Sequence, residues 1–461
     1  MGQNRYEKSV ELPASVEEAF AWHEREGAFE RLTPPWVRAR VVDRYGGIQD
    51  GGEVTIELRK GPCKWRWVAM HQNYTQDVRF QDIQVTGPFA AWCHTHRFES
   101  LGDSQSRITD TISYRLPLGF LGEFFAGKLI RHDLERMFAW RHGVTASDLA
   151  AHQRYATAPR RKILISGASG LVGRNLSAFL STGGHDVWHL TRQLRGESKR
   201  QIVWDTEQIA PETLEPFDTV IHLAGENIFG LWTAGKFRRI RDSRVNSTRA
   251  LAQALARFPQ GTKNFICASA IGFYGSRGDE CLDESSYPGG NLLAQIAREW
   301  EAATQPAIDA GVRVALMRLG VVLTPQGGAL GKMLPPFQMG LGGRIGSGRQ
   351  WMGWVSIEDV IGAFHHAVMN PDFSGAANVV SPEPVTNAQF AQELARCLHR
   401  PAILPVPALA GKALAGRMFD ELLLSSARVV PRKLQGAGYE FRHARLGPAL
   451  NCLLGREPAQ D

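Results

Sequence analysis

The chain has 461 residues, and at about 100 to 200 residues per domain this length predicts more than one domain. Hydrophobic residues make up 43% of the sequence and charged residues 21%. These fractions are near the averages of soluble globular proteins and exclude a mainly disordered or fibrous chain. No stretch approaches the roughly 18 apolar residues of a membrane-spanning helix, and the polar start MGQNRYEKSVE lacks a signal-peptide profile. We therefore expect a cytoplasmic protein with no membrane partner.

The cysteines and the charge distribution limit the classes of ligand. The six cysteines lie far apart and form no CxxC pair, which argues against a disulfide framework and a zinc ribbon. Residues 1–155 carry 20 basic and 20 acidic side chains, whereas the remainder carries 33 and 26. Because no long basic stripe with interleaved aromatic residues occurs, this excess predicts small phosphorylated ligands rather than nucleic acid.

A domain boundary is predicted near residues 152–162. The segment HQRYATAPRRK ends a helical pattern, contains a proline and a charge cluster, and precedes an apolar run. The sequence therefore predicts a first domain over 1–155 and a second over 162–455.

The sequence pattern of the first domain predicts an α+β structure. Ser15, followed by Glu17 and Glu18, predicts a helix start. Alternating segments such as RFQDIQV and SRITDTISYRL predict an antiparallel sheet, and apolar residues at helical spacing from Phe120 to His152 predict one long closing helix.

This order of elements resembles the START-like, polyketide-cyclase-like helix-grip fold. The resemblance covers nearly all of residues 1–155 and depends on the pattern and on phrases such as QDIQVTGPFAAWCHTHRF. In that fold the sheet grips the helix around an apolar cavity. The resemblance therefore implies a hydrophobic small-molecule ligand in the first domain.

Cys93, His94 and His96 in this phrase raise the question of a metal site. In a strand, the two histidines point to one side and the cysteine to the other, so all three do not easily converge on one ion. The sequence favours a packed or cavity-lining histidine pair and predicts no metal.

A dinucleotide site is predicted at the start of the second domain. An apolar strand, Ile163 to Ile165, leads into GASGLVG, then a helix, then a second strand. Gly167 would permit the tight turn, Gly170 the approach of the pyrophosphate, and Gly173 close packing of the helix on the strand. The helix N-terminus would then offer N–H groups to the diphosphate. The predicted cofactor contacts are Gly167, Ser169, Gly170, Leu171, Gly173, Arg192, Ala224 and Gly225.

The residue after the second strand decides the predicted cofactor. NAD-preferring sites place an acidic residue there, whereas this chain has Arg192, whose guanidinium suits a 2′-phosphate. The sequence therefore predicts NADP(H), with a solvent-facing arginine as the alternative. Ala224 and Gly225 end a later buried strand, where small residues leave room for the adenine-ribose side of the cofactor.

From about 162 to 455 the chain resembles the atypical short-chain dehydrogenase/reductase family known as nucleoside-diphosphate-sugar epimerases. The matching phrases are GASGLVG, HLAGEN, SRVNSTRAL, SAIGFYG, MRLGVVL, GWVSIEDV, SPEPVTN and SSARVVPRKLQGAGYEF. The resemblance implies a doubly wound Rossmann sheet and a family-specific C-terminal segment from about residue 400, beside the substrate cleft.

The catalytic residues typical of that superfamily are missing. Ala270 stands where a Ser or Thr is expected four residues before Tyr274, and the helix NLLAQIAREWEAA has no YxxxK. The remaining catalytic candidates are Tyr274, Ser269 and Glu226, with turn, core or helix-capping roles as the alternatives.

Three further residues are candidates for substrate binding. Asn227 follows a strand end, and the glycine-rich loop GLGGRIGSGRQWMGW holds Arg344 and Arg349 where related epimerases bind a nucleotide-sugar diphosphate. Solvent-exposed loop charge is the alternative for both arginines.

Three functions follow from these residues. The preferred one is an NADP(H)-dependent oxidoreductase or epimerase acting on a small nucleotide-sugar-like or apolar substrate. The rival is a catalytically silent NADP(H)-binding regulator, and a cyclase or hydrolase reaction in the first domain is the third. The sequence leaves the oligomeric state open.

Overall fold

The computed structural model describes residues 3–61, 63–117, 120–194, 199–258, 261–407 and 416–456. The chain forms two compact units. The first contains residues 1–158, 181–184 and 451–461, and the second contains 159–180 and 185–450. Within the described residues, no helix is both long and apolar enough to cross a membrane.

The first unit contains a seven-stranded antiparallel sheet with the order β1-β7-β6-β5-β4-β3-β2. Its strands are β1 Asn4–Leu12, β2 Arg38–Tyr45, β3 Glu53–Lys60, β4 Cys63–Thr75, β5 Arg79–Thr86, β6 Ala91–Gly102 and β7 Gln105–Arg115. Its helices are α1 Val16–Glu24, α2 Ala28–Leu32 and α3 Phe120–Gln153. The predicted order of one strand, short helices, further strands and a long helix is thus observed. Ser15 caps α1 as predicted, its Oγ accepting from the main-chain N–H of Glu18 at 3.3 Å.

One face of this sheet is buried. Every second residue of β7 from Ser106 to Tyr114 is buried, as the period of two for a strand requires. Leu134 and Phe138 of α3 pack in one apolar cluster with Ile112 of this strand. Helix α3 therefore covers the buried face, and truncation of Phe138, which is fully buried, is expected to cost about 3–5 kcal/mol.

A buried ion pair joins the two helices α2 and α3. Arg31 donates from Nε to Asp148 Oδ2 at 2.7 Å and from Nη2 to Oδ1 at 2.8 Å. Both side chains are almost completely buried, at 2% and 0% exposure. Because both charges are desolvated, breaking this pair is expected to destabilise the first unit.

The second unit is built on a seven-stranded parallel sheet with the order β10-β9-β8-β11-β12-β14-β18. The strands are β8 Lys162–Ser166, β9 Asp186–Thr191, β10 Gln201–Val203, β11 Thr219–His222, β12 Asn264–Ala270, β14 Arg313–Leu319 and β18 Gly375–Val379. The chain order reverses between β8 and β11. This is the Rossmann-like arrangement predicted from the sequence, and ligands bind outside the carboxyl ends of the strands at such a reversal.

Short strand pairs and helices complete the chain. The two-stranded sheets are β13 Cys281–Leu282 with β20 Arg428–Val429, β15 Val321–Leu323 with β17 Trp354–Ser356, and β16 Trp351–Met352 with β19 Val385–Thr386. Among the described residues after 158, the helices are α4 Leu171–Thr182, α5 Ala234–Arg257, α6 Leu292–Ala302, α7 Gln305–Asp309, α8 Gly328–Gln338, α9 Ile357–Met369, α10 Asn387–Leu398, α11 Arg417–Leu423, α12 Arg432–Gly436 and α13 Leu446–Leu454.

The start of α9 holds part of the C-terminal segment. The buried carboxylate of Asp359 accepts from the main-chain N–H groups of Arg442 at 2.7 Å and His443 at 3.0 Å. The guanidinium of Arg442 also pairs with Glu358 at 2.7 Å. Asp359 is therefore fully occupied as a structural acceptor.

Candidate functional site

The glycine-rich turn after β8 is sterically constrained by the next strand of the sheet. Gly167 has φ +75°, and a Cβ there would lie 2.7 Å from the nitrogen of Ala224, just after β11. A Cβ on Gly173 would lie 2.3 Å from the carbonyl oxygen of Gly167. Real Cβ atoms do not approach so closely. These two positions therefore require glycine for the turn and for the close approach of α4.

The outer part of the same turn is open. Ser169 and Gly170 are exposed, Leu171 is half-buried, and α4 begins at Leu171. A Cβ on Gly170 would meet only the Gly167 carbonyl oxygen, at 3.1 Å. Protein contacts thus constrain Gly170 less than Gly167 or Gly173. The start of a helix beside an exposed glycine turn is a place where backbone N–H groups can face a phosphate.

Arg192 follows the neighbouring strand β9 at the same edge of the sheet. In the pairing of β9 with β8, Leu190 lies opposite Ser166. Gly167 directly follows Ser166, and Arg192 lies two residues after Leu190. The backbone of Arg192 therefore lies at the edge of the sheet from which the glycine turn also emerges. The Arg192 side chain is exposed, and it forms no ion pair within 4.0 Å with a residue in the described ranges.

A buried histidine lies beneath this turn and was missed by the sequence reasoning. His222, at the end of β11, has Nδ1 2.5 Å from Ser166 Oγ and Nε2 3.0 Å from Ser247 Oγ. Burial lowers the pKa of His222 to about 3, so the imidazole is neutral and able to donate with one nitrogen and accept with the other. The histidine of HLAGEN was the available signal.

Arg244 of α5 is a second residue that the sequence reasoning missed. A Cβ on Gly225 would lie 3.1 Å from Cζ of Arg244, so the small residue makes room for this guanidinium. The side chain donates to the carbonyl oxygens of Glu226 at 3.1 Å and Ile240 at 2.9 Å. Burial lowers the pKa of Arg244 to about 10, which leaves it charged at neutral pH. The signal was the arginine of SRVNSTRAL.

Glu226 and Asn227 are tied to their own loop. The carboxylate of Glu226 lies 2.5 Å from Nζ of Lys236, and this hydrogen bond lowers the Glu226 pKa. Glu226 is therefore ionised at neutral pH and is no proton donor in this state. The side chain of Asn227 accepts from the main-chain N–H of Phe229 at 2.9 Å, which closes a local turn.

Ser269 and Tyr274 belong to one buried polar network. The Tyr274 hydroxyl donates to Asn378 Oδ1 at 2.7 Å and accepts from Nη1 of Arg318 at 2.9 Å. Arg318 pairs with both carboxylate oxygens of Glu301 at 2.8 Å, and Ser269 Oγ donates to the same carboxylate at 2.6 Å. Tyr274 is 0% exposed, and burial raises its pKa. The network therefore holds the tyrosine as a neutral phenol within the protein.

Arg344 and Arg349 lie on an exposed loop after α8. Nη1 of Arg344 donates to the carbonyl oxygen of Ser347 at 3.0 Å, and the main-chain N–H of Arg349 donates to Ser347 Oγ at 3.3 Å. Within the described part of the chain, neither forms a hydrogen bond with the other site candidates. The structure thus brings the glycine turn, Ala224 and Gly225 together, and leaves these arginines on a separate loop.

Three protein families match parts of the sequence. The NAD dependent epimerase/dehydratase family matches residues 163–381. The polyketide cyclase / dehydrase and lipid transport family matches residues 12–138, and a domain of unknown function, DUF1731, matches residues 406–453.

Similar proteins share either the second part of the chain or nearly all of it. An epimerase family protein of Mycobacterium bovis is 41% identical over 291 residues, which covers 62% of this chain and 96% of the relative. A crystal structure of the nucleoside-diphosphate sugar epimerase from Corynebacterium glutamicum has a TM-score of 0.81 at 34% identity, covering 99% of this chain and 91% of that one. The human epimerase family protein SDR39U1, solved with NADPH, has a TM-score of 0.60 at 33% identity, covering 64% of this chain and 99% of that one.

Proposed function

Since this chain belongs to the epimerase protein family, we propose that its second unit binds NADP(H) and acts as an oxidoreductase or epimerase on a small-molecule substrate. The observation that carries this proposal is the glycine turn, in which Gly167 and Gly173 are sterically fixed while Ser169 and Gly170 stay open. The human relative solved with NADPH supports the choice of cofactor.

The proposed cofactor contacts follow from the strand order. Gly170 and the start of α4 would face the pyrophosphate, and Arg192 would face the 2′-phosphate. Ala224 and Gly225 would line the adenine-ribose side. When bound, the nicotinamide would supply or accept a hydride, and Gly170, Arg192, Ala224 and Gly225 would hold the cofactor that carries it.

The three catalytic candidates differ in how free their side chains are to exchange a proton with a substrate. Because the Tyr274 hydroxyl and Ser269 Oγ both have their hydrogen bonds within a buried network, we propose that they position the strand ends rather than exchange protons directly. Glu226 is partly exposed but paired with Lys236. As a base, it would act only after that ion pair opens.

The substrate proposal depends on the exposed loop arginines. Arg344 and Arg349 are exposed and form no ion pair with a carboxylate in the described ranges, so we expect each guanidinium to be available to a diphosphate. A nucleotide-sugar-like substrate is therefore the class that this loop fits best. Asn227 would reach substrate only by releasing its own turn.

For the first unit we propose a helix-grip domain that binds a hydrophobic small molecule. The match to the polyketide cyclase / dehydrase and lipid transport family supports this function, as do the antiparallel sheet and the covering helix α3. Purified full-length protein that carries and binds no apolar ligand would contradict it. The proposed location of the whole protein is the cytoplasm.

A titration of the full chain with NADPH and NADH tests the cofactor proposal. We expect NADPH to bind more tightly, and Arg192→Ala to weaken NADPH binding by about 10- to 100-fold, because charge-assisted hydrogen bonds contribute about 1.5–3 kcal/mol. Arg257→Ala is the matched control, since Arg257 is an exposed arginine at the end of α5. Absence of binding by either nucleotide would refute the proposal.

The second candidate function is a catalytically silent NADP(H)-binding regulator. The missing YxxxK and the full hydrogen bonding of the Tyr274 hydroxyl favour it. Both functions predict cofactor binding, so turnover discriminates between them. Loss of turnover without loss of NADPH affinity after Tyr274→Phe or Glu226→Gln would favour the enzyme.

A further inference from the structure

Three neighbouring strands of the first unit bring carboxylates and imidazoles to one face of the sheet. Asp82 of β5 pairs in register with His94 of β6, and His96 of β6 pairs with Asp110 of β7. Because side chains alternate along a strand, these four residues share a face, and Cys93 points to the other. The face is the one covered by α3, since the ring of His94 contacts Phe138 of that helix.

The cluster is deeply buried on all but one side. His94 is 3% exposed, His96 7% and Asp110 2%, whereas the Asp82 side chain is 18% exposed. The ring of Phe80 stacks on His96 with centroids 4.2 Å apart. The cluster is thus enclosed by rings and is reached from solvent on the side of Asp82.

The spacing of three ligand atoms in this cluster matches a transition-metal site. Asp82 Oδ2 lies 3.1 Å from His94 Nδ1 and 3.7 Å from His96 Nε2, and the ligand atoms of the three residues all lie within 4.8 Å of one another. Ligands about 2.0–2.1 Å from a tetrahedral ion are about 3.3 Å apart. We propose that Asp82, His94 and His96 bind a divalent transition-metal ion of the zinc type.

The nitrogens of His94 and His96 that face Asp110 support this assignment. Nε2 of His94 lies 2.9 Å from Oδ1 of Asp110 in hydrogen-bonding geometry, and Nδ1 lies 3.1 Å from Oδ2 of Asp82. A metal ion bound by Nδ1 and Asp82 would take the place of the proton between these two atoms. His142 of α3 holds the other oxygen of Asp110, with Nε2 2.6 Å from Oδ2. A carboxylate that fixes the tautomer of a ligating histidine is the usual partner behind a metal site. Asp110 is therefore the positioning residue.

His96 provides an independent observation. Its Nδ1 lies 2.7 Å from Asp110 Oδ1 but outside hydrogen-bonding geometry, so this buried atom has no hydrogen-bond partner among the described residues. Its Nε2 is 3.7 Å from Asp82, beyond hydrogen-bonding distance. Nδ1 is thus held beside the Asp110 carboxylate, and Nε2, on the other side of the ring, faces Asp82 across a gap that a metal ion bound to both atoms would close.

Two imidazoles and one carboxylate define the class of ion. Such ligands suit zinc and iron(II), whereas magnesium and calcium prefer oxygen ligands alone. Three protein ligands leave a coordination position for water or an oxygen of a small molecule. This site lies in the first unit and is independent of the proposed NADP(H) function.

Metal retention by the full-length protein tests the site. Apo protein is prepared with a chelator, loaded with Zn²⁺, gel-filtered and analysed by elemental mass spectrometry, and Co²⁺ provides a visible absorption spectrum. We expect His94→Gln, His96→Gln and Asp82→Asn each to lose bound Zn²⁺ and the Co²⁺ spectrum. His132→Gln is the matched control, because His132 is an exposed histidine on α3, and it should retain both.

Asp110→Asn gives the test of the positioning residue. It should retain Zn²⁺ with an affinity about 10- to 100-fold lower, as is usual when the partner of a ligating histidine is removed. NADPH binding and far-UV circular dichroism check that each variant is folded. The proposal is overturned if wild-type protein retains no metal, or if the folded variants of the three metal ligands retain as much metal as wild type. Either result would show that protons hold the imidazoles and carboxylates together.

Discussion

The Tyr274 hydroxyl offers a direct test of the buried network. Tyr274→Phe removes the donor to Asn378 Oδ1 and the acceptor for Nη1 of Arg318. Arg318 keeps both hydrogen bonds to Glu301, so the unsatisfied group is mainly the amide oxygen of Asn378. Leaving one buried polar group unpaired costs about 1–3 kcal/mol, and we expect the free energy of unfolding to fall by that amount.

Thermal unfolding with and without NADPH is the measurement. The transition that NADPH raises reports on the second unit, because a ligand stabilises only the structure that binds it. Tyr287→Phe is the matched control, since the Tyr287 side chain is 83% exposed, and it should leave the transition unchanged. If Tyr274→Phe is as stable as Tyr287→Phe yet loses turnover, the hydroxyl acts on substrate and the positioning role is wrong.

Three further predictions concern the turn, a histidine and an ion pair. Gly173→Ala should abolish measurable NADPH binding, because its Cβ would meet the Gly167 carbonyl oxygen. In the same titration Gly436→Ala should bind NADPH normally, since no atom lies within 4 Å of the Cβ that it adds. Burial lowers the pKa of His222 from 6.5 to about 3, so its contribution to stability is complete above pH 6.5 and falls toward pH 3. The free energy of unfolding of His222→Gln should therefore fall less with decreasing pH than that of wild type, by about 1.4 kcal/mol per pH unit. Denaturant unfolding at several pH values measures this difference, and the same pH dependence in both proteins would contradict the prediction. Asp148→Asn should cost about 3–5 kcal/mol of unfolding free energy by breaking the buried ion pair with Arg31, and a cost below about 1 kcal/mol in calorimetry would show that this pair contributes little.

Local sequence patterns were sufficient to predict the secondary-structure elements and the glycine turn. The alternation of β7 and the cap at Ser15 are encoded within a few residues, and the structure has both. The order of elements in the first unit and the Rossmann-like sheet follow for the same reason. The roles given to Gly167 and Gly173 needed only the context of a strand before and a helix after.

Contacts between distant residues were not available from those patterns. Asp82 lies beside His94 because β5 and β6 form a hairpin with a particular register, and a shift by one residue would turn the carboxylate to the other face. The sequence reasoning judged the histidines with Cys93, their neighbour in the chain, and therefore omitted the acidic residue across the hairpin. His222 was missed similarly, because its partner Ser247 is contributed by a helix 25 residues later.

The helix that would carry YxxxK instead contributes an acid to the interior. Glu301 lies in α6, and its carboxylate is paired with Arg318 of β14 beneath Tyr274. In the usual arrangement a lysine lowers the tyrosine pKa, whereas here burial raises it and the nearby arginine is already paired with a carboxylate. Arg318 lowers the Tyr274 pKa through its charge and its hydrogen bond, but burial outweighs this effect and the hydroxyl stays protonated. We therefore expect any oxidation of a substrate at this site to pass its proton to a base other than Tyr274, such as Glu226 released from Lys236.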